Sequence, residues 1–177
     1  MLGDSLSAAY GIARASGWVA LLEERLKRER LDYAVVNASI SGDTSAGGRA
    51  RAPALIERER PAVLILELGA NDGLRGMPPA DIKANLAAII ELAQKSKARV
   101  LLLGIRLPPN YGPEYTQRFE ALFRELQARY RTAWVPFLLE DFAQNAELFQ
   151  ADRIHPNEKA QALMLERVWK ALRPLLK

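Results

Sequence analysis

The sequence contains no cysteine and a single histidine, His155. Without thiols there is no disulfide framework and no thiolate metal site. With one imidazole, a zinc site of histidines and cysteines cannot be assembled. Carboxylates alone remain, and no spaced motif stands behind them, so neither a metal nor a cofactor is expected. Long apolar runs are missing too. The longest, such as Val63–Leu66 and Val100–Gly104, fall far short of the ~20 residues of a membrane-spanning helix, and no stable membrane insertion is expected. There is no repeat, low-complexity tract or linker. Met1 is followed at once by Leu2-Gly3-Asp4-Ser5, without the basic and apolar regions of a signal peptide.

What is present suits one compact domain: 177 residues, 49% of them hydrophobic. The net charge is +4, but the basic residues are scattered and alternate with acids, as in Glu57-Arg58-Glu59-Arg60. That pattern reads as a solvated helix face. No aromatic-plus-basic motif accompanies it, so nucleic acid is not an expected partner.

Along the chain, short apolar runs alternate with stretches of helical period. Helices are expected over Gly17–Arg30, Thr44–Arg60, Asp81–Ser96, Glu114–Arg131 and Asn157–Leu175, the last entered through Pro156. Pro53 should kink the second of these or delay its start. Strands are expected at Tyr33–Asn37, Ala62–Leu68 (apolar except for Glu67), Arg99–Ile105 and Ala133–Phe137. Alternation of this kind predicts a parallel sheet covered on both faces, with ligands at the carboxyl ends of its strands. Polar clusters fall at those ends: Ser39–Thr44, Gly69–Asp72 and Arg106–Tyr111.

His155 lies in Asp152-Arg153-Ile154-His155-Pro156. A tight turn would bring the carboxylate of Asp152 to one imidazole nitrogen, fixing the tautomer and supporting a charged ring. Such a histidine can act as a base for a serine hydroxyl, a weak nucleophile on its own. Ser5, in Gly3-Asp4-Ser5-Leu6-Ser7, is the candidate nucleophile; taken alone, the tetrapeptide also fits an ordinary strand-to-helix turn with serine as a cap. Acyl transfer further needs donors for a developing oxyanion. The N–H of Gly42, unobstructed by a side chain, and the amide of Asn71 are candidates, although each loop alone also fits a simple Asx turn.

Taken together and in order, Gly3-Asp4-Ser5-Leu6-Ser7, Gly42 within Asn37–Ser45, Gly69-Ala70-Asn71-Asp72 and Asp152-x-x-His155 resemble the four blocks of the SGNH (GDSL) hydrolase superfamily. Val36–Ser45, Glu67–Gly76 and Gly104–Gly112 are similar to its bacterial multifunctional thioesterase I, protease I and lysophospholipase branch. The resemblance implies a flavodoxin-like three-layer α/β/α sandwich. It makes Ser5 the nucleophile, His155 the base and Asp152 its orienting partner, with the N–H groups of Ser5 and Gly42 and the side chain of Asn71 as oxyanion donors. Two departures stand out. Ala70 occupies a position usually held by glycine. The apolar strand that precedes Gly-Asp-Ser in the family is reduced to Met1-Leu2, so residues 1–177 are expected to form a single domain truncated at its N-terminal strand.

The resemblance further implies a monomeric, periplasmic enzyme acting on acyl-CoA, lysophospholipid or simple esters. Leu74, Met77, Ile105, Leu107, Pro108 and Tyr111 would line the acyl site, and the Gly73–Pro79 loop would move as substrate enters. Two other readings are a carbohydrate deacetylase of the same superfamily, disfavoured by the apolar Leu107–Tyr111 stretch, and a non-catalytic binding domain on the same fold.

Overall fold

A computed structural model describes residues 1–176. Four parallel strands form one sheet in the order β1-β2-β3-β4: Leu2–Gly3, Val63–Glu67, Arg99–Leu103 and Ala133–Val135. Among the described residues six α-helices accompany it: α1 Trp18–Arg28, α2 Ser45–Glu59, α3 Ala70–Leu74, α4 Pro79–Lys95, α5 Pro113–Tyr130 and α6 Gln161–Leu172.

The two-residue period of the central strands sets the layers. Leu64 and Leu66 of β2 and Val100 and Leu102 of β3 pack with α2, α4 and α5 through Ile56, Leu86, Ile89, Phe119 and Phe123. Ile65, Leu101 and Leu103 turn the other way, onto Trp18 and Leu22 of α1 and Met164 and Val168 of α6. Apolar side chains on both faces explain why these strands read as continuous hydrophobic runs. The result is the expected flavodoxin-like α/β/α sandwich.

Three local expectations are corrected. Tyr33–Asn37 forms no strand. Its neighbour β1 is only two residues long, so contact is limited to bonds from the Met1 amine to Val36 O (2.7 Å), Ala38 N–H to Met1 O and Ile40 N–H to Gly3 O. Pairing of β1 with β2 begins at Leu66, and Val63–Ile65 help to line a cavity of about 440 Å³ beside it. Next, α2 neither starts late nor breaks at Pro53. Thr44 caps it by accepting the Gly47 N–H at 3.1 Å. Pro53 sits on an exposed face, as does Arg49, whose carbonyl loses its helical partner. Finally, the stretch after β2 is not a plain loop. Gly69, at φ +115°, turns the chain directly into α3.

Candidate active site

The site is assembled at the carboxyl ends of the strands from four loops. The first leaves β1 at Asp4 and folds tightly: Asp4 O accepts N–H bonds from Ser7 and Ala8, and Ser5 O accepts one from Tyr10. This turn holds Ser5 half-buried. Asn37 Nδ2 and Trp18 Nε1 pin it from outside by donating to Ser7 O and Leu6 O.

The fourth loop carries Asp152 and His155. Asp152 Oδ1 accepts the N–H groups of Ile154 (2.9 Å) and His155 (3.0 Å), and Oδ2 lies 2.7 Å from His155 Nδ1. Arg153 takes the left-handed conformation (φ 58°) that closes this turn. Desolvation works to raise the pKa of Asp152. The two N–H bonds and the imidazole together outweigh it and hold the carboxyl at about 2. Asp152 is therefore an acceptor only at neutral pH, so Nδ1 carries the ring proton and Nε2 presents a lone pair. That lone pair faces Ser5 Oγ at 2.9 Å. Gln150 ties the two loops together by donating to both Tyr10 O (2.7 Å) and Pro156 O (3.1 Å). The ring of Tyr10 covers the imidazole at 4.5 Å.

The second and third loops bring donors. Gly42 has φ +81°, and a Cβ built there would touch nothing within 4 Å, so the space beside its Cα is open. Neither Gly42 N–H nor Ser5 N–H donates to any protein acceptor among the described residues. Asn71 is different. Its Nδ2 donates to Asp43 O at 2.9 Å and to Asp4 Oδ2 at 3.3 Å. The longer bond is the weaker one. Arg51 of α2 braces the Gly42 loop by pairing with Asp43 at 2.7 Å and donating to the carbonyls of Ala38 and Gly3. Buried Asp72 of α3 accepts from the N–H (2.8 Å) and hydroxyl (2.6 Å) of Ser45, locking α3 to the start of α2.

The six apolar residues expected around the acyl group have different settings. Ile105 and Leu107 are buried in the core against α4 and α5. Leu74 is half-buried, while Met77 and Pro108 are exposed. The two loops are stitched together, with Tyr111 Oη donating to Leu74 O (3.0 Å) and Tyr115 Oη to Met77 O (2.6 Å). Among the described residues, no group of three or more His, Asp or Glu side chains is arranged to hold a metal ion.

Three features of the site do not follow from the sequence reading: the Gln150 bridge, the Tyr10 ring and the pairing of two buried acids, Asp4 and Glu67. The last had a signal, since Glu67 is the one charge in an otherwise apolar strand.

This architecture has known counterparts. The sequence model of the GDSL-like lipase/acylhydrolase family matches residues 1–163. The chain is 54% identical to esterase TesA of Pseudomonas aeruginosa, over 99% of this chain and 88% of that protein. It is 40% identical to thioesterase 1/protease 1/lysophospholipase L1 of Escherichia coli K12, over 99% and 83%. A crystal structure of TesA superimposes with a TM-score of 0.96 at 55% identity, covering 99% of this chain and 97% of that one.

Proposed function

The chain belongs to the GDSL-like lipase/acylhydrolase family, and from that premise we propose that it hydrolyses acyl esters and thioesters through a Ser5-His155-Asp152 triad. The observation that carries this reading is the continuous relay from Asp152 Oδ2 to His155 (2.7 Å) and from His155 Nε2 to Ser5 Oγ (2.9 Å).

In the proposed cycle, Ser5 Oγ attacks the substrate carbonyl carbon while its proton passes to Nε2. The charge that develops on the carbonyl oxygen is taken up by the Ser5 and Gly42 N–H groups and by Asn71. His155 then returns the proton to the departing alcohol or thiol. A water molecule, deprotonated by the same nitrogen, releases the acyl group and regenerates Ser5. Asp152 keeps the ring in the working tautomer and supports its positive charge.

The apolar residues of the Leu74–Met77 and Leu107–Tyr111 loops make an acyl chain the substrate part we assign to this side of the site. Acyl-CoA, lysophospholipids and aryl esters all present such a chain beside a cleavable carbonyl. A monomer acting in the periplasm belongs to the same reading. Its test is covalent labelling by a fluorophosphonate probe. Wild-type protein should take up one probe per chain and Ser5→Ala none. Equal labelling of the two proteins, or no labelling of either, overturns it.

A further inference from the structure

Strand β2 carries one acid among apolar neighbours. Glu67 is wholly buried, and so is Asp4, the residue before the nucleophile. Glu67 Oε2 accepts the Asp4 N–H at 3.3 Å and the Ser7 hydroxyl at 2.8 Å. The approach depends on Gly3, where a Cβ would stand 2.9 Å from Glu67 Oε2.

Two ionised carboxylates cannot share such a space without a cation. The base beside them, Arg51, is committed to Asp43 and to the carbonyls of Ala38 and Gly3. The other charged or titratable groups facing Asp4 are His155 and Asp43. The pair must therefore hold a proton, and the hydrogen bonds say where. Both oxygens of Asp4 accept N–H donors: Oδ1 from Leu6 at 3.0 Å and Oδ2 from Asn71 at 3.3 Å. Glu67 Oε1 accepts from nothing. Oε1 is therefore the atom of the pair left free to carry the acid proton. Burial and the neighbouring Asp4 charge push Glu67 well above the usual carboxyl range, in agreement with that placement.

We propose that Glu67 is a positioning residue that works as a neutral acid: it anchors the Ser5 turn through Asp4 N–H and Ser7 and, through the Asp4 carboxylate, orients the Asn71 amide. This role rests on the hydrolase reading of the site. A single negative charge on the pair orients Asn71. A second, released if Glu67 lost its proton, would sit behind the donors meant for the oxyanion and oppose the charge they stabilise.

Glutamine at position 67 can accept from Asp4 N–H and Ser7 while donating to Asp4, whereas alanine can do neither. With a p-nitrophenyl ester, Glu67→Ala should lower kcat at least about tenfold with KM nearly unchanged, and Glu67→Gln should recover a third or more of wild-type kcat, roughly. The infrared difference between wild type and Glu67→Gln at pH ~8, above the ordinary carboxyl range, should contain the carbonyl band of a protonated carboxylic acid. A pure carboxylate signal, or equal kcat in Glu67→Gln and Glu67→Ala, overturns the proposal. If Glu67→Ala fails to fold, the infrared comparison decides alone. Fluorophosphonate labelling of wild type separates the two failures. Absence of labelling sinks the hydrolase reading, whereas labelling without the acid band sinks only the role of Glu67.

Discussion

Replacing Asp152 by asparagine separates what this residue does for the fold from what it does for the chemistry. Oδ1 of asparagine can still accept the Ile154 and His155 N–H groups at 2.9 and 3.0 Å, so the turn should persist. The change falls on the other atom, which lies 2.7 Å from Nδ1 and becomes a donor. The ring must then offer Nδ1 as acceptor and keep its proton on Nε2, leaving Ser5 without a base.

The stability cost is at most that of the carboxyl shift, to about 2 from an ordinary 3.8, since asparagine keeps the two N–H bonds. Unscreened, that shift is worth about 2.5 kcal/mol. The side chain is 38% exposed, and solvent screening brings the expectation to about 1 kcal/mol. Because the folded-state pKa is depressed, this contribution is present above the ordinary carboxyl range and is lost as pH falls through about 2. The catalytic cost is larger, about 10³–10⁴ in kcat, or roughly 4–5.5 kcal/mol of barrier. Paired measurements of Tm at neutral pH and kcat on an aryl ester test both figures. A thioester should suffer less than an alkyl ester, because a thiol leaves with less help from an acid. A kcat within tenfold of wild type would refute the tautomer argument, and equal losses on thioester and alkyl ester would refute the leaving-group argument.

Other substitutions probe the donors and the buried pair. Asn71→Ala should lower kcat about 10²–10³-fold with little change in KM, read from steady-state kinetics. Gly42→Val should cost about 1–2 kcal/mol of stability through the left-handed backbone at φ +81°, a loss visible in urea unfolding and accompanied by lower kcat. The raised pKa of Glu67 gives wild type a stability that is full below the ordinary carboxyl range and lost as pH rises toward the folded value. Between pH ~5 and ~9, wild type should therefore lose more unfolding free energy than Glu67→Gln, as measured by denaturant titration at both pH values.

Most of the architecture was legible in the chain because β2 and β3 are buried on both faces and their apolar runs have no competing helical period. The helices announced themselves by face and cap, and their ends moved by only a few residues. What failed was context. Tyr33–Asn37 has the side chains of a strand, but the two-residue β1 beside it offers too few backbone partners for a ladder. Pro53 is accommodated within α2 on the exposed side of the helix. The short α3 is one turn long, below the reach of any periodic signal. In the site, Ser5, Asp152, His155, Gly42 and Asn71 could be named from spacing and resemblance; the fold joins the first three by hydrogen bonds and sets Asn71 against Asp4 and the Asp43 carbonyl. Ile105 and Leu107 belong to the hydrophobic core, and their apolar character alone does not separate residues that only pack from residues that also face a ligand. The meaning of Glu67 was hidden because its partner, Asp4, is distant in sequence and adjacent only after β1 and β2 pair.

The central claim is that the hydroxyl of Ser5 carries the acyl group between two half-reactions. Rapid quenching in acid after mixing with an aryl ester, followed by mass measurement of the N-terminal peptide, tests it directly. An added acyl mass on Ser5 should appear in the first turnover and decay at the steady-state rate. An acyl group on another residue, or product formed by wild type and Ser5→Ala at the same rate, would contradict it.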